Sequence, residues 1–268
     1  MYVSVDKMST NRFCIMCFRC IKSCSKKVDG WRSAAVKLRL RLPGKELLDI
    51  NNSQPMFWET IFLFGAIGIF LGVWYFDASP LYPHFEEIMV ELLETIGFAS
   101  FINESAPWWV MINSPEHGEV LTWGSVISLS IFILASTCLI LGFLYILTAI
   151  SADLLLPKMK EKLPLGELIT RLGYIYTPLC FFSAFLGLSS PSFEYLYGVG
   201  VGIPIINLIR AFLFGIGILW SYYLAFKIVR LQEAKGGILE VVILHTFGIS
   251  FIAFIWYPVL FEWWTPAG

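Results

Sequence analysis

Past residue 56 the chain reads as five apolar stretches, at about 57–76, 122–152, 169–189, 201–226 and 238–260. A bilayer core about 30 Å thick takes roughly 20 residues of helix. Chain inside that core must satisfy its backbone hydrogen bonds internally, which leaves helices as the spanning form for stretches of this length. Composition points the same way. Charged residues make up 15% of the chain, against about 25% in soluble domains. The sequence therefore predicts a mainly α, polytopic helical membrane bundle of about five transmembrane helices over residues 51–268. The second stretch is long enough to tilt or protrude. The third contains Pro178 with Thr177 and Ser183 and predicts a kink. The fourth opens with Gly202 and Pro204, suited to a first turn.

The charges are segregated. Of 19 Lys and Arg, 11 lie between Lys7 and Lys45, and none lies between Lys45 and Lys158. The loop 77–121 carries Asp77, Glu86, Glu87, Glu91, Glu94, Glu104, Glu116 and Glu119 with no basic residue. Lys158, Lys160 and Lys162 follow the second stretch, and Lys227, Arg230 and Lys235 follow the fourth. Glu194 alone lies in 190–200, and no basic residue follows 260. Basic loops stay in the cytoplasm. The alternation predicts an inner-membrane protein with residues 1–50 as a cytoplasmic basic segment, 77–121 as an acidic external loop and the C-terminus outside. Residues 1–30 do not read as a signal peptide, because no apolar stretch follows the charges. Trp58, Trp74, Trp123, Trp220, Trp256, Trp263 and Trp264 fall at span ends, where an aromatic belt is expected.

Within the basic segment, Cys14, Cys17, Cys20 and Cys24 read C-x-x-C-x-x-C-x-x-x-C. This is the bacterial ferredoxin spacing for a 4Fe–4S cluster. Thiolates three residues apart reach corners of one cubane, and the fourth projects away. Zinc sites usually present two C-x-x-C pairs across a longer loop, and a reducing cytoplasm disfavours disulfides. Zinc or another metal, and a metal-free segment, are the alternatives. In two-cluster ferredoxins the fourth Cys of such a run serves the other cluster. The remaining ligands are then expected from a partner chain with a matching run, or from an upstream segment, since Met1–Val5 is too short for the other half of a ferredoxin fold. A single cluster with an unusual fourth ligand is the third option. Cys138 and Cys180 lie inside spans and read as small packing residues.

The run Cys14-Ile-Met-Cys17-Phe-Arg-Cys20-Ile-Lys-Ser-Cys24 resembles the second cluster run of membrane-bound polyferredoxins. These include nitrate-reductase-associated ferredoxins, nitrous-oxide-reductase regulators and oxidase-assembly ferredoxins. The segment Leu40-Arg-Leu-Pro-Gly-Lys-Glu-Leu47 is also similar to one that follows the run in some of them. The resemblance covers roughly residues 12–48, and Ser25 stands where the family usually has proline. It implies a ferredoxin-like iron–sulfur segment at the N-terminus. It also implies electron transfer between quinol, or a cytoplasmic donor, and a redox partner protein.

Other residues have structural and functional readings side by side. Val36–Leu42 alternates apolar residues with Lys37, Arg39 and Arg41, as expected for attraction to anionic lipid or to an acidic partner. Residues 85–97 form an amphipathic helix candidate. Phe85, Ile88, Met89, Leu92, Leu93 and Ile96 share one face and the glutamates the other. It is expected to lie across the outer ends of the spans or to dock a basic electron carrier. Arg210 falls inside the fourth stretch, where a charge costs at least ~2.5 kcal/mol and must face protein or a polar cavity. Asn207 is one turn earlier. His245 falls inside the fifth stretch.

Counted from the span ends across ~30 Å of bilayer, Arg210 and His245 differ in depth by only several ångströms. Adjacent antiparallel helices could then let one polar cavity touch both, read either as structural pairing or as a quinone site. Only two further histidines exist, His84 and His117, both in the outer loop, which argues against bis-histidine haem within the bundle. There is no phosphate loop, nucleophile triad, zinc-protease motif or internal repeat, and nothing calls for a nucleic-acid partner. The expected function is a membrane-anchored iron–sulfur electron-transfer subunit rather than a stand-alone enzyme. Competing readings are a membrane interaction or assembly protein with a structural metal cluster, and a transporter with a metal-binding regulatory head.

Overall fold

A computed structural model describes residues 56–107, 121–159, 163–232 and 236–261. The cysteine run, Val36–Leu42, Trp263 and Trp264 lie outside the described residues. Helices appear in the order α1 (Phe57–Ala78), α2 (Leu81–Leu93), the short α3 (Ala99–Ile102), α4 (Trp123–Leu155), α5 (Leu165–Gly173), α6 (Thr177–Leu188), α7 (Ser190–Gly198), α8 (Ile203–Leu231) and α9 (Ile238–Phe261). Five spans, Phe57–Asp77, Trp123–Lys158, Leu165–Leu188, Ile203–Leu231 and Ile238–Phe261, are long and apolar enough to cross a bilayer. Their positions match the five apolar stretches of the sequence. The chain is a helical, multi-pass membrane protein.

The spans close into a ring. α1 packs between α4 and α6, α8 between α6 and α9, and α9 returns to α4. Small residues set the closest approach, as they do where lipid supplies no hydrophobic drive between helices. On α1, a Cβ at Gly68 would lie 2.7 Å from the Thr137 Cα of α4. Ser136 on α4 donates from Oγ to the Gly68 carbonyl at 3.3 Å. On the other side of the ring, a Cβ at Gly217 would lie 2.8 Å from the Phe182 ring.

Two elements depart from simple rods for identifiable reasons. The third span is not one helix. A 3₁₀ turn at Tyr174–Tyr176 separates α5 from α6. Pro178 lies in the first turn of α6. Proline has no N–H to donate, and its ring clashes with the carbonyl four residues earlier, here Tyr174. The expected kink is therefore this break. α4, at 33 residues, is about 50 Å long at 1.5 Å per residue, well beyond the hydrocarbon layer.

α2 corrects an expectation. It does not lie across the span ends but runs alongside the first turns of α4. Its first turns pack Tyr82 and Phe85 on Phe132, with ring centroids 5.4 and 5.3 Å apart. Its later residue Val90 faces Gly124, near the start of α4. Tyr82 donates to the Ser125 carbonyl at 3.3 Å. The expected apolar face divides: Phe85, Met89 and Leu93 are half-buried, whereas Ile88, Leu92 and Ile96 are exposed. Gly97, at φ 99°, breaks the helical backbone within the π-helical turn over Glu94–Phe98. That backbone region suits a residue without Cβ.

Candidate functional site

Two polar sites lie inside the ring, one toward each end. At the end where α9 finishes, Arg210 of α8 is fully buried. It reaches across to the last turn of α9. Its Nη2 donates to the Val259 carbonyl at 3.3 Å, and its Nη1 to Asn207 Oδ1 at 3.4 Å. The final carbonyls of a helix have no partner within it. They carry the negative end of the helix dipole, so a guanidinium there satisfies an orphan acceptor and meets favourable charge.

Aromatic faces complete the surroundings. The guanidinium carbon lies 5.1 Å from the Trp74 ring centroid and 5.9 Å from that of Phe193. Trp74 packs edge-on against Trp256 at 6.2 Å, and Phe214 lies 5.1 Å from Trp256. Trp74 and Trp256 are thus interior residues. Their expected place in a lipid-facing belt is corrected, because the rings are spent on the cation and on each other. Trp58, at 75% exposure, does present its ring outward. Tyr75 of α1 donates to the Ile255 carbonyl of α9 at 2.8 Å, tying the same end together.

Toward the other end, His245 of α9 is also fully buried. Its Nδ1 lies 3.0 Å from the Tyr176 hydroxyl, and its Nε2 has no hydrogen-bond partner among the described residues. The break in the third span delivers Tyr176, the last residue of the 3₁₀ turn. Phe64 of α1 packs edge-on against Tyr176 with centroids 5.6 Å apart. Gly248, one turn along α9, leaves room for the phenol: a Cβ there would lie 2.5 Å from the hydroxyl oxygen. Thr60 of α1 donates to the Thr170 carbonyl of α5 at 3.3 Å. At the rim of this end Tyr174 donates to Glu59, Arg171 pairs with Glu167 at 2.7 Å, and Lys158 lies 3.9 Å from Glu240.

The structure brings Arg210 and Asn207 together and keeps His245 apart from both. Val259, which Arg210 touches, is fourteen residues beyond His245, hence about 21 Å along α9. The expectation of one shared cavity is overturned. The depth estimate fitted both helices to a ~30 Å slab. At 29 and 24 residues, α8 and α9 run to about 44 and 36 Å, and each polar residue lies near its own helix start.

Tyr176 and Gly248 escaped the sequence reading. A tyrosine two residues ahead of a proline in an apolar stretch carries no mark of a partner 69 residues away.

At the acidic end, Glu86, Glu87, Glu91 and Glu94 line a shallow open groove with Pro83 and Val90. Burial, and after it the Glu86 charge, pushes the Tyr82 hydroxyl up to about 12. Among the described residues no group of three or more His, Cys, Asp or Glu is placed to hold a metal ion. Cys138 is exposed on α4 and Cys180 is half-buried on α6, so neither forms part of such a set. The four cysteines proposed as cluster ligands lie outside the described residues.

The fold and its two interior polar sites define a class, the helical multi-pass membrane proteins. No family model, curated protein or solved structure matches the chain.

Proposed function

We propose that the chain is a membrane-anchored iron–sulfur electron-transfer protein of the membrane-bound polyferredoxin type. The observation that carries this reading is the run Cys14, Cys17, Cys20 and Cys24 on a basic segment directly ahead of a five-span bundle. A 4Fe–4S cluster on that run would supply one-electron transfer. The chain supplies the thiolates, an anchor and a basic surrounding that favours the more negative, reduced cluster. Further ligands come from a second cysteine run, on a redox partner or upstream.

The distribution of charge supports an orientation. Lys158, Lys227 and Arg230 lie at the end where α1 begins, and Asp77, Glu86, Glu87 and Glu91 at the other. In this reading the basic end faces the cytoplasm, and an odd number of spans puts the C-terminus outside. His245 then lies about 10 Å inside the cytoplasmic end of α9. It is the better placed of the two polar sites to meet a quinol that feeds a cytoplasmic cluster. In this reading a neutral imidazole there would offer one ring nitrogen to a quinol oxygen as a hydrogen-bond partner.

Anaerobic purification tests the reading. Iron and acid-labile sulfide are expected together, with a paramagnetic signal on reduction, and Cys17→Ser should lose most of the iron of one cluster. Zinc without sulfide would reject it.

A further inference from the structure

The hydrogen-bond accounting around His245 fixes more than a contact. Among the described residues the Tyr176 hydroxyl has one bonding partner, His245 Nδ1 at 3.0 Å. A phenol proton buried without an acceptor costs about 1–3 kcal/mol, so the hydroxyl donates and Nδ1 accepts. In a neutral imidazole the proton then sits on the other nitrogen. That nitrogen, Nε2, is fully buried and has no partner among the described residues. A buried N–H aimed at no acceptor is rare in folded proteins and asks for an oxygen.

The backbone helps hold this arrangement. The 3₁₀ turn ends on Tyr176, and the missing Cβ of Gly248 gives the hydroxyl its seat against α9. Leu147 of α4 closes the same spot, with both its methyl carbons 3.4 Å from where that Cβ would stand. Apolar walls of this kind suit a neutral group, because an ionised oxygen there would lose its hydration without recompense.

We propose that Tyr176, seated on Gly248, holds His245 as its Nε2–H tautomer and makes it a dedicated hydrogen-bond donor to a neutral acceptor oxygen inside the bundle. Tyr176 is a positioning residue, acting on the ligand only through the imidazole. The acceptor has two possible sources with the same chemistry, an internal water or the carbonyl of a lipophilic ligand. Only the second source rests on the quinol-linked reading given above.

The test is a nitrogen–proton correlation spectrum of the full, oxidised protein labelled in its histidine rings, with the His245 signal assigned by its loss in His245→Gln. Wild type is expected to show a single tautomer, protonated at Nε2 and bare at Nδ1. Tyr176→Phe should bring in the second tautomer. Gly248→Ala should do the same with the phenol still present, since its methyl displaces the hydroxyl, and this keeps the test open if one variant folds poorly. A cross-peak from Nε2–H to water assigns the acceptor to water, and a shift on adding a short-chain quinone assigns it to a carbonyl; either supports the proposal. An Nδ1–H tautomer in wild type, a spectrum unmoved by both variants, or an Nε2–H answering to neither water nor quinone would overturn it. None of these readings needs electron transfer, so a failure of the quinol-linked function would show separately.

Discussion

The two buried polar sites differ in how completely the protein answers them. Arg210 is met on several sides: a helix-end carbonyl, an amide oxygen and two aromatic faces. Among the described residues His245 is hydrogen-bonded on one side only, through Nδ1. A permanent charge in a bilayer has to be compensated in the resting fold, so its partners record what holds the bundle together. A neutral imidazole is cheaper to bury, and one nitrogen can be left for something else. Burial alone therefore does not separate structural from functional residues in such a protein. What separates the two groups here is how many partners meet each, since Trp256 Nε1 near Arg210 also has no hydrogen-bond partner among the described residues.

The sharpest way to break this comparison is Arg210→Gln. The shorter amide gives up the charge-assisted bond to the Val259 carbonyl and the stacking over Trp74. Hydrogen bonds to charged groups contribute about 1.5–3 kcal/mol, and a desolvated cation over a ring about 2 kcal/mol. Removing the charge also relieves its desolvation, so a net loss of about 3 kcal/mol is expected. Folded, monodisperse yield and the thermal midpoint in detergent should both fall well below wild type. An unchanged midpoint would mean that Arg210 is not a structural clamp and would erase the contrast.

Much of the fold was legible in the sequence, because bilayer thickness sets a length that composition alone reveals. The five apolar stretches and the break near Pro178 follow from that length and from proline chemistry. The sites were legible only as residue types. Arg210 and His245 stand out as polar letters in apolar runs, and Asn207 is a near neighbour by helical spacing. What the sequence could not carry was which turn of α9 Arg210 would reach. That depends on the relative height of two long antiparallel helices, and nothing in either stretch encodes it. Tyr176 was hidden for a related reason: its partnership with His245 comes from a local 3₁₀ turn and from a glycine that is conspicuous only by what it lacks. Trp74 and Trp256 misled because span-end tryptophans face lipid or protein with the same spacing.

A smaller effect is expected from His245→Ala. The variant leaves the buried Tyr176 hydroxyl without its acceptor, at a cost of about 1–3 kcal/mol. It also leaves a small cavity, and the thermal midpoint should move no more than in Arg210→Gln. Iron content should stay at the wild-type level. If His245 is the quinol-side group, the rate of quinol-linked cluster reduction should fall about tenfold, as expected for losing one positioned hydrogen bond of about 1.4 kcal/mol to the reacting oxygen. Stopped-flow reduction with a soluble quinol reads that rate. An unchanged rate would leave the membrane domain as an anchor.

The smallest effect is expected from Asn207→Ala, and it sharpens the account of Arg210 from within. One turn separates Asn207 from Arg210 on α8, so the two share a face by geometry alone. Spacing therefore names Asn207 as the natural partner of the cation. The distances rank it second. The Nη1 to Oδ1 separation is 3.4 Å, at the long end for a hydrogen bond, where the interaction is weak. The bond to Val259 instead satisfies a carbonyl that the end of α9 cannot satisfy itself. Its loss would leave a buried acceptor orphaned, the expensive half of hydrogen-bond energetics. Truncating Asn207 removes an acceptor from a guanidinium that keeps its other contacts, and removes the amide as well, so no polar atom of the side chain is stranded. The expected loss is about 0.5–1 kcal/mol, clearly less than for Arg210→Gln. In the double variant Asn207→Ala with Arg210→Gln the two losses should fall short of adding, because once Arg210 is replaced the Asn207 amide has no cation left to lose. Thermal midpoints of the four proteins in one detergent close this cycle. A loss at Asn207 as large as that at Arg210 would move the clamp from the end of α9 to within α8, and the charge would then tie no second helix into the ring.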